Sequence, residues 1–152
     1  MIDDVDRIMA VMQAAFDPLY GEAWNRRQVE DSLSLGHCHY GVIAAEGLPC
    51  AGDVPAAGFF MSRNAFHEEE LLLLAVKPEF RRYGLGRKLL DTLRRDAGAR
   101  GAQRLLLEMR RGNPAEALYA AFGFYKIGER PNYYRTSEGD RLDAITFACD
   151  IS

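Results

Sequence analysis

Residues 71–90 read LLLLAVKPEFRRYGLGRKLL, and this stretch decides the fold of the 152-residue chain. Its apolar start belongs to residues 70–76, a nearly continuous run that predicts a central strand buried on both faces. Pro78 ends the strand, and a short loop with two glycines follows. From Leu85 onward, leucines and alanines recur at helical spacing as far as Gly101. A strand, a glycine loop and a helix in this order predict an anion site at the start of the helix.

Two glycines and several basic residues make this loop suited to a phosphate group. Helix N-terminal amides lack intrahelical partners and carry partial positive charge, and Gly84 and Gly86 allow a ligand to approach them closely. A Gly-x-Gly alone is more often only a tightly packed helix start. Leu89 stands where a dinucleotide fingerprint has its third glycine, and no Ser or Thr follows Lys88 as a P-loop requires. The further basic residues are Arg81, Arg82 and Arg87.

The rest of the chain alternates helical and strand patterns, without an internal repeat or a linker. Helices are predicted over residues 5–16 and 24–35, and another is predicted to be capped by Asn113 and closed by Gly123. The element order α-α-β-β-β-α-β-α-β-β predicts a single α/β (α+β) domain over residues 1–152, with about four helices and a mixed sheet of about six strands. Besides the central strand, strands are predicted over residues 39–45, 56–63, 104–109, 125–130 and 144–151.

Composition excludes several classes of function. Hydrophobic residues make up 48% and charged residues 27% of the chain, as in ordinary globular domains. A net charge of −3 argues against nucleic-acid binding through bulk charge. The first residues are acidic and no apolar run approaches the ~20 residues of a membrane span, so we expect a soluble, cytoplasmic protein without a membrane partner. The three cysteines match no zinc or disulfide spacing, so we expect free thiols and no metal.

Several segments resemble the GNAT acetyltransferase superfamily, and the resemblance runs from about Glu70 to the C-terminus. Residues 81–86 are similar to its central Arg/Gln-x-x-Gly-x-Gly/Ala motif. Within the superfamily the chain is most like the ribosomal-protein-alanine N-acetyltransferases of the RimI type. This likeness implies a GNAT fold, a central sheet splayed at the cofactor site, and acetyl-CoA as the cofactor. The segments that carry it are LEMR at 107–110, LYAAFGF at 118–124, RPNYY at 130–134 and Asp-Ala at 143–144.

Glu108 is the candidate general base. A carboxylate inside the apolar strand 104–109 is costly unless it faces a cleft or finds a partner. From the residues alone, an ion pair with Arg104, Arg110 or Arg111 is an equally good explanation. The resemblance places the RimI-type base on Glu108, which would act directly on the amine or through a water molecule.

Tyr119 is the candidate general acid. At its spacing from Phe122 and Phe124 it also fits the pattern of a core aromatic residue. The resemblance assigns its hydroxyl to a position near the cofactor sulfur, where it would protonate the departing thiolate.

The resemblance implies further cofactor contacts. Asn113 would contact the cofactor, or serve only as a helix cap. It stands one residue closer to Tyr119 than is usual in the family, and one residue turns a helical side chain by about 100°, so we favour Tyr119 over Asn113. Main-chain groups of Leu74, Ala75 and Val76 would meet the pantetheine arm and the thioester. The pyrophosphate would be held by Arg81, Arg82, Tyr83, Gly84, Leu85, Gly86 and Arg87.

The acceptor groove of RimI-type enzymes corresponds to the region of Tyr133, Tyr134 and Asp143. Glu69 and Glu70 offer further carboxylates for the acceptor amine, or are simply solvated charges at a strand end; of the two, Glu70 is our candidate. The hypothesis is an acetyl-CoA-dependent N-acetyltransferase acting on a protein N-terminal α-amine. The alternatives are a GNAT enzyme for a small amine or a lysine side chain, and a non-catalytic acyl-CoA-binding module.

Two further expectations concern the whole chain. GNAT chains normally open with a strand before the first helix, and only a few residues precede Val5 here. That strand is therefore expected to be very short or missing. We expect a monomer or a weak dimer that binds acetyl-CoA and an amine acceptor.

Overall fold

A six-stranded sheet organises the computed structural model, which describes residues 2–151. The strand order across the sheet is β1-β2-β3-β4-β6-β5, and only β3 and β4 run parallel. The predicted mixed sheet of about six strands is therefore confirmed. The strands are β1 (Cys38–Ile43), β2 (Gly58–Ala65), β3 (Glu68–Val76), β4 (Arg104–Arg110), β5 (Tyr125–Arg135) and β6 (Arg141–Asp150).

Four α-helices accompany the sheet in the predicted order. Asp3 and Asp6 form a capping box at the start of the first helix. Within residues 2–151 no strand precedes that helix, and none of the helices described there is long and apolar enough to cross a membrane. The helices are α1 (Asp4–Ala15), α2 (Arg26–Leu33), α3 (Leu85–Ala99) and α4 (Glu116–Phe122).

Two separate apolar cores hold the helices and the sheet together. The larger core unites α3 and α4 with the sheet through residues such as Leu90 and Leu105. The smaller core unites α1 and α2 with the sheet through residues such as Ile8 and Phe59. Each fully buried leucine or phenylalanine contributes about 1.5–3 kcal/mol relative to an exposed one. Cys149, one of the three free thiols, is buried in the larger core.

Because β3 contains one extra residue, Leu71 and Leu73 pack in different cores. Met61 of β2 pairs with Leu73 and Ser62 pairs with Leu71, so Leu72 has no partner opposite it. Such an insertion is a β-bulge. Leu71 packs in the larger core, whereas Leu73 packs in the smaller one. Both faces of β3 are covered, as predicted. The bulge could not be predicted, because four consecutive leucines show no alternation that an extra residue would interrupt.

The parallel strands β3 and β4 pair over only part of their length. Their register runs from Glu68 opposite Arg104 to Leu71 opposite Leu107. Beyond that point β3 stays with β2 as far as Val76, while β4 stays with β6. The two strands therefore separate, and one edge of residues 72–76 has no neighbouring strand. This is the splay that the sequence led us to expect.

Several predicted boundaries were wrong. The helix predicted to be capped by Asn113 begins at Glu116, because the Asn113 side chain instead accepts a hydrogen bond from Ala115 N (2.9 Å) in a preceding turn. α2 begins at Arg26 rather than Trp24, since Asn25 supplies a capping box with Gln28. β5 continues to Arg135, so Tyr133 and Tyr134 lie in a strand rather than in a loop.

Candidate active site

A cavity of about 290 Å³ opens where β3 and β4 separate. It brings together five residues that the sequence singled out from distant segments: Leu74, Glu108, Asn113, Tyr119 and Tyr134. Asn113 reaches the same cavity from the turn before α4. The remaining lining residues are Phe16, Gly21, Glu22, Trp24, Leu71, Leu72, Leu73, Leu107 and Met109.

Glu108 projects from β4 and its side chain is 19% exposed. Thr146, directly opposite it on β6, donates a hydrogen bond from Oγ1 to Glu108 Oε2 (3.3 Å). Arg130 of β5 places Nη2 at 3.1 Å from the same oxygen. The ion pair considered from the sequence therefore exists, but its partner is Arg130. The three arginines proposed as partners pair with other acids: Arg104 with Glu68, Arg110 with Glu22, and Arg111 with Glu129 and Asp143.

Tyr119 is a buried residue of α4 that also lines the cavity. Its ring packs edge-on against Phe124, with ring centroids 5.6 Å apart. Burial raises the pKa of Tyr119 well above its ordinary value, and the negative charge of Glu22 adds to the effect. Its hydroxyl therefore stays protonated at neutral pH. No residue in the described part of the chain accepts a hydrogen bond from it, so it is available to a ligand in the cavity.

Tyr134 lines the cavity from β5, while its neighbour Tyr133 is outside. Burial, followed by the charge of Glu108, raises the pKa of Tyr134 to about 12. The Tyr133 ring is 50% exposed and lies under the Arg130 guanidinium, whose carbon is 4.6 Å from the ring centroid. The two rings meet edge to face at 5.2 Å between centroids. Only Tyr134 of this pair therefore borders the space that a substrate would fill.

Glu70 and Asp143, the other predicted acceptor residues, do not line the cavity. Glu70 pairs with Arg63, directly opposite it on β2. Asp143 accepts a hydrogen bond from the backbone N–H of Asn132 (2.9 Å), which lowers the pKa of that carboxyl, and also pairs with Arg111. The roles predicted for Glu70, Tyr133 and Asp143 in binding the acceptor stay predictions.

The start of α3 offers unpartnered backbone N–H groups. Gly84 precedes the helix at φ +79°, a left-handed conformation that glycine adopts without strain, and no side chain caps the helix. The first intrahelical hydrogen bond runs from Lys88 N to Gly84 O (3.1 Å). The N–H groups of Leu85, Gly86 and Arg87 therefore have no intrahelical acceptor. A Cβ at Gly84 would meet nothing within 4 Å, so space is open beside this helix start.

The two glycines of the loop have different roles. A Cβ at Gly86 would lie 2.9 Å from Cδ2 of Leu118 on α4. Gly86 therefore allows α3 to pack closely on the helix that carries Tyr119. Both glycines were predicted to let a phosphate approach, and that role stays a prediction for each of them.

The arginines of the loop also differ. Arg81 donates hydrogen bonds from Nε to Val76 O (3.0 Å) and from Nη2 to Ala15 O (3.2 Å), which links β3 to the end of α1. Arg82 is exposed, has no ion pair within residues 2–151, and adopts φ +70°, which is uncommon outside glycine. Arg87 pairs with Asp91, with 3.6 Å between Arg87 Nε and Asp91 Oδ1. Arg82 is therefore the arginine best placed for a ligand, and the predicted cofactor contact of Arg81 stays a prediction.

Three residues of this region were not predicted to belong to the site. Glu22 reaches the cavity from the segment between α1 and α2, a segment without a recognisable motif. Arg110 was considered only as a partner for Glu108, and it lies beside Glu22 instead. Arg130 belongs to the quoted RPNYY segment, but its position two strands away from Glu108 depends on the order of β4, β6 and β5. Among residues 2–151 no group of three or more His, Cys, Asp or Glu side chains is arranged to hold a metal ion.

Comparisons with known proteins bear on the same elements. The family model of the acetyltransferase (GNAT) domain matches residues 37–126, which include β1 to α4. The [ribosomal protein bS18]-alanine N-acetyltransferase of Salmonella typhimurium is 41% identical over 106 residues, which are 69% of this chain and 71% of that enzyme.

Solved structures show the same architecture. The crystal structure of the ribosomal-protein-S18-alanine N-acetyltransferase from Escherichia coli is similar with a TM-score of 0.79 and 30% identity, over 99% of this chain and 91% of that one. An aminoglycoside 6'-N-acetyltransferase complexed with coenzyme A has a TM-score of 0.76 over 97% of this chain and 91% of its own, but only 15% identity. That second likeness shows the fold alone.

Proposed function

This chain belongs to the GNAT acetyltransferase family, and from that premise we propose that it transfers the acetyl group of acetyl-CoA to the N-terminal α-amine of a protein. The observation that carries the proposal is the cavity at the divergence of β3 and β4, which holds both Glu108 and Tyr119. The Salmonella relative is named for an alanine of ribosomal protein bS18. An N-terminal alanine of a ribosomal protein is therefore the acceptor that we propose.

The cofactor would lie across the start of α3 and the open edge of β3. The N–H groups of Leu85, Gly86 and Arg87 are suited to the pyrophosphate because they lack intrahelical partners and lie at the positive end of the helix dipole. Arg82 and Tyr83 are exposed beside them. The edge of residues 74–76 without a neighbouring strand offers backbone N–H and C=O groups to the pantetheine arm, apart from the Val76 carbonyl, which accepts a hydrogen bond from Arg81. Bound acetyl-CoA would supply the thioester whose carbonyl carbon the amine attacks.

Glu108 would accept the proton that the acceptor amine must lose. An N-terminal amine has a pKa of about 7.7–8.0, so most of it is protonated at neutral pH and cannot attack a thioester. The Arg130 guanidinium, with Nη2 3.1 Å from Glu108 Oε2, orients this carboxylate in the cavity. In the proposed reaction the first proton of the ammonium group passes to Glu108 directly or through a water molecule, and the second, released as the C–S bond breaks, replaces the proton that Tyr119 gives to the sulfur.

Tyr119 would act on the leaving thiolate. As the C–S bond breaks, negative charge develops on sulfur, and a protonated hydroxyl nearby stabilises it by a hydrogen bond. The raised pKa of Tyr119 keeps the hydroxyl protonated at any working pH. The same shift makes complete proton transfer harder than from an ordinary tyrosine. We therefore assign Tyr119 first as a hydrogen-bond donor to the sulfur, and as the source of its proton once the thiolate has formed.

The proposal is tested by incubating the protein with acetyl-CoA and a panel of peptides that differ in their first residue. Each peptide carries one internal lysine, and fragmentation mass spectrometry locates the acetyl group. We expect acetylation of the α-amine, fastest for peptides that begin with alanine. The same peptides with a blocked α-amine serve as the control. Transfer only to the lysine side chain, or only to a small amine added in competition, would contradict the proposal.

A further inference from the structure

Glu22 is a second carboxylate in the cavity that holds Glu108, and the reaction described above gives it no role. It lies in the segment between the 3-10 turn Pro18–Tyr20 and α2, and its side chain is 25% exposed. Cavity-lining carboxylates thus come from two unconnected parts of the fold, a strand and a loop. Among residues 2–151 no arginine or lysine lines the cavity, although Arg130 and Arg110 pair with its two carboxylates from outside the lining. Its charged lining therefore favours a cationic ligand.

The position of Glu22 is set by Arg110 at the end of β4. The Arg110 guanidinium carbon lies 3.4 Å from the centroid of the Tyr20 ring, a cation–π contact. Its side chain is 11% exposed, and Nε lies 3.5 Å from Glu22 Oε1 without a hydrogen-bond partner. Charge-assisted hydrogen bonds are shorter, about 2.7–2.9 Å. Arg110 therefore orients Glu22 by charge and leaves its oxygens free to accept hydrogen bonds from a ligand.

The charge of Glu22 reaches both tyrosines of the cavity. After burial, it is a cause of the raised pKa of Tyr119, and it also contributes to the raised pKa of Tyr134. Glu22 therefore acts electrostatically on the space in which the acceptor and the thioester would meet. Glu70 and Asp143 have no comparable position, because they pair with Arg63 and Arg111 away from the cavity lining.

We propose that Glu22 binds the α-ammonium group of the acceptor and positions it for loss of its proton to Glu108. This inference rests on the proposed transfer to an α-amine. An ammonium group that enters a half-buried cavity loses hydration, and a carboxylate that accepts its hydrogen bonds offsets that cost. Binding the ammonium group and accepting its proton are separate tasks, and the reaction described above already gives the second task to Glu108. Two carboxylates with different surroundings divide these tasks.

The test compares the wild-type protein with Glu22→Gln, which keeps the shape of the side chain and removes its charge. We expect the KM for an alanine-initiated peptide to rise about tenfold, the effect of about 1.4 kcal/mol of lost binding. We expect kcat to stay within about twofold and the KM for acetyl-CoA to be unchanged. Glu30→Gln, an exposed carboxylate change on α2 outside the cavity, is the matched control.

A charge-specific measurement separates ammonium recognition from a purely structural role. The probe is the same peptide with an α-hydroxyl in place of the α-amine, used as a competitive inhibitor. Its Ki should be equal in wild type and Glu22→Gln, since it has no positive charge. Equal weakening of peptide and hydroxyl analogue, or no change in either, overturns the inference.

Two further outcomes are informative. If the wild type acetylates the peptide and Glu22→Gln has an unchanged peptide KM, this inference is overturned and the proposed function still holds. If the wild type does not acetylate the peptide, both are overturned. Should Glu22→Gln fail to fold, as judged by thermal unfolding, Glu22→Asp replaces it. With its carboxylate drawn back from the cavity, this variant should raise the peptide KM and leave the analogue Ki unchanged. An unchanged peptide KM in Glu22→Asp then overturns the inference.

Discussion

Glu108 shows how a single residue can be recognised in a sequence before its surroundings are known. A carboxylate within an apolar strand is costly unless it faces a cleft or has a partner, and the strand alternation already placed Glu108 on one face of β4. Its contacts were not predictable in the same way. Thr146 and Arg130 reach it from β6 and β5, whereas the arginines near Glu108 in the chain pair with other acids. Because Arg130 is 59% exposed, water screens this ion pair, which orients the carboxylate without fixing it strongly.

Glu108→Gln tests the proposed base. The amide has the same shape but cannot accept a proton, so we expect kcat to fall about 10²–10⁴-fold. The KM for acetyl-CoA should hardly change, since the cofactor would bind mainly to α3 and the edge of β3. Steady-state kinetics with an alanine-initiated peptide measures both, and Glu116→Gln, an exposed change on α4, is the control. A kcat within twofold of the wild type would show that another group accepts the proton.

Tyr119→Phe tests the proposed donor to the sulfur. The change removes the hydroxyl and leaves the ring, so the edge-on contact with Phe124 should survive. A hydrogen bond to a charged group contributes about 1.5–3 kcal/mol, which corresponds to a fall in kcat of roughly 10–100-fold. Tyr125→Phe, an exposed tyrosine outside the cavity, serves as the comparison in the same assay. Equal kcat values for the two variants would refute the role of Tyr119.

The start of α3 is the element whose interpretation changed most. The motif at residues 81–86 predicts an anion site as a unit, but its members take different roles in the fold. Gly84 leaves space open beside the helix start, Gly86 lets α3 pack on Leu118, and Arg81 links β3 to α1. Periodicity and motif identify the element, whereas the division of roles follows from which neighbouring elements each residue faces.

Arg81→Met and Arg82→Met make this division testable. We expect Arg81→Met to lower the free energy of unfolding by about 1 kcal/mol, because two hydrogen bonds to carbonyls are lost at an exposed site. Arg82→Met should leave stability nearly unchanged and weaken coenzyme A binding, with a loss that shrinks at high salt. Urea unfolding and calorimetric titration measure the two effects. The reverse pattern, with Arg82 affecting stability and Arg81 affecting the ligand, would contradict the assignment.

At the scale of the whole molecule, a buried carboxylate joins three elements. Glu69 of β3 is fully buried and accepts hydrogen bonds from Ser62 Oγ (2.6 Å), Asn64 Nδ2 (3.0 Å) and Arg100 Nη2 (2.7 Å). Burial alone would raise the pKa of Glu69, but these hydrogen bonds, that of Arg100 first, bring it below its ordinary value. Glu69 is thus a structural residue that fastens the end of α3 to β2 and β3, and the suggestion of a solvated charge or an amine-binding group was wrong.

Arg100→Met should destabilise the protein by about 2 kcal/mol at pH 7, since it leaves a buried carboxylate without its cation; Arg100 is 28% exposed, which moderates the cost. The pKa of Glu69 is lowered by folding, so its contribution is present above its ordinary pKa of about 4.5 and is lost as the pH falls through the lowered value. The difference in the free energy of unfolding between wild type and variant should therefore become smaller in acid.

Urea unfolding at pH 7 and at pH 4 measures this difference. Arg95→Met is a suitable control, because Arg95 lies on the same helix and is 74% exposed. If the difference in the free energy of unfolding is the same at both pH values, the stabilisation by Arg100 does not depend on the charge of Glu69.

By itself the sequence determined the kinds of elements and their order, predicted an anion site at the α3 start, and singled out Glu108 and Tyr119. These features depend on local period, capping residues and short motifs, which act over a few residues. Only the tertiary structure decided the bulge at Leu72, the point where β3 leaves β4, and the places of Glu22, Arg110 and Arg130. These depend on strand register and on packing between segments far apart in the chain, and no local pattern carries that information.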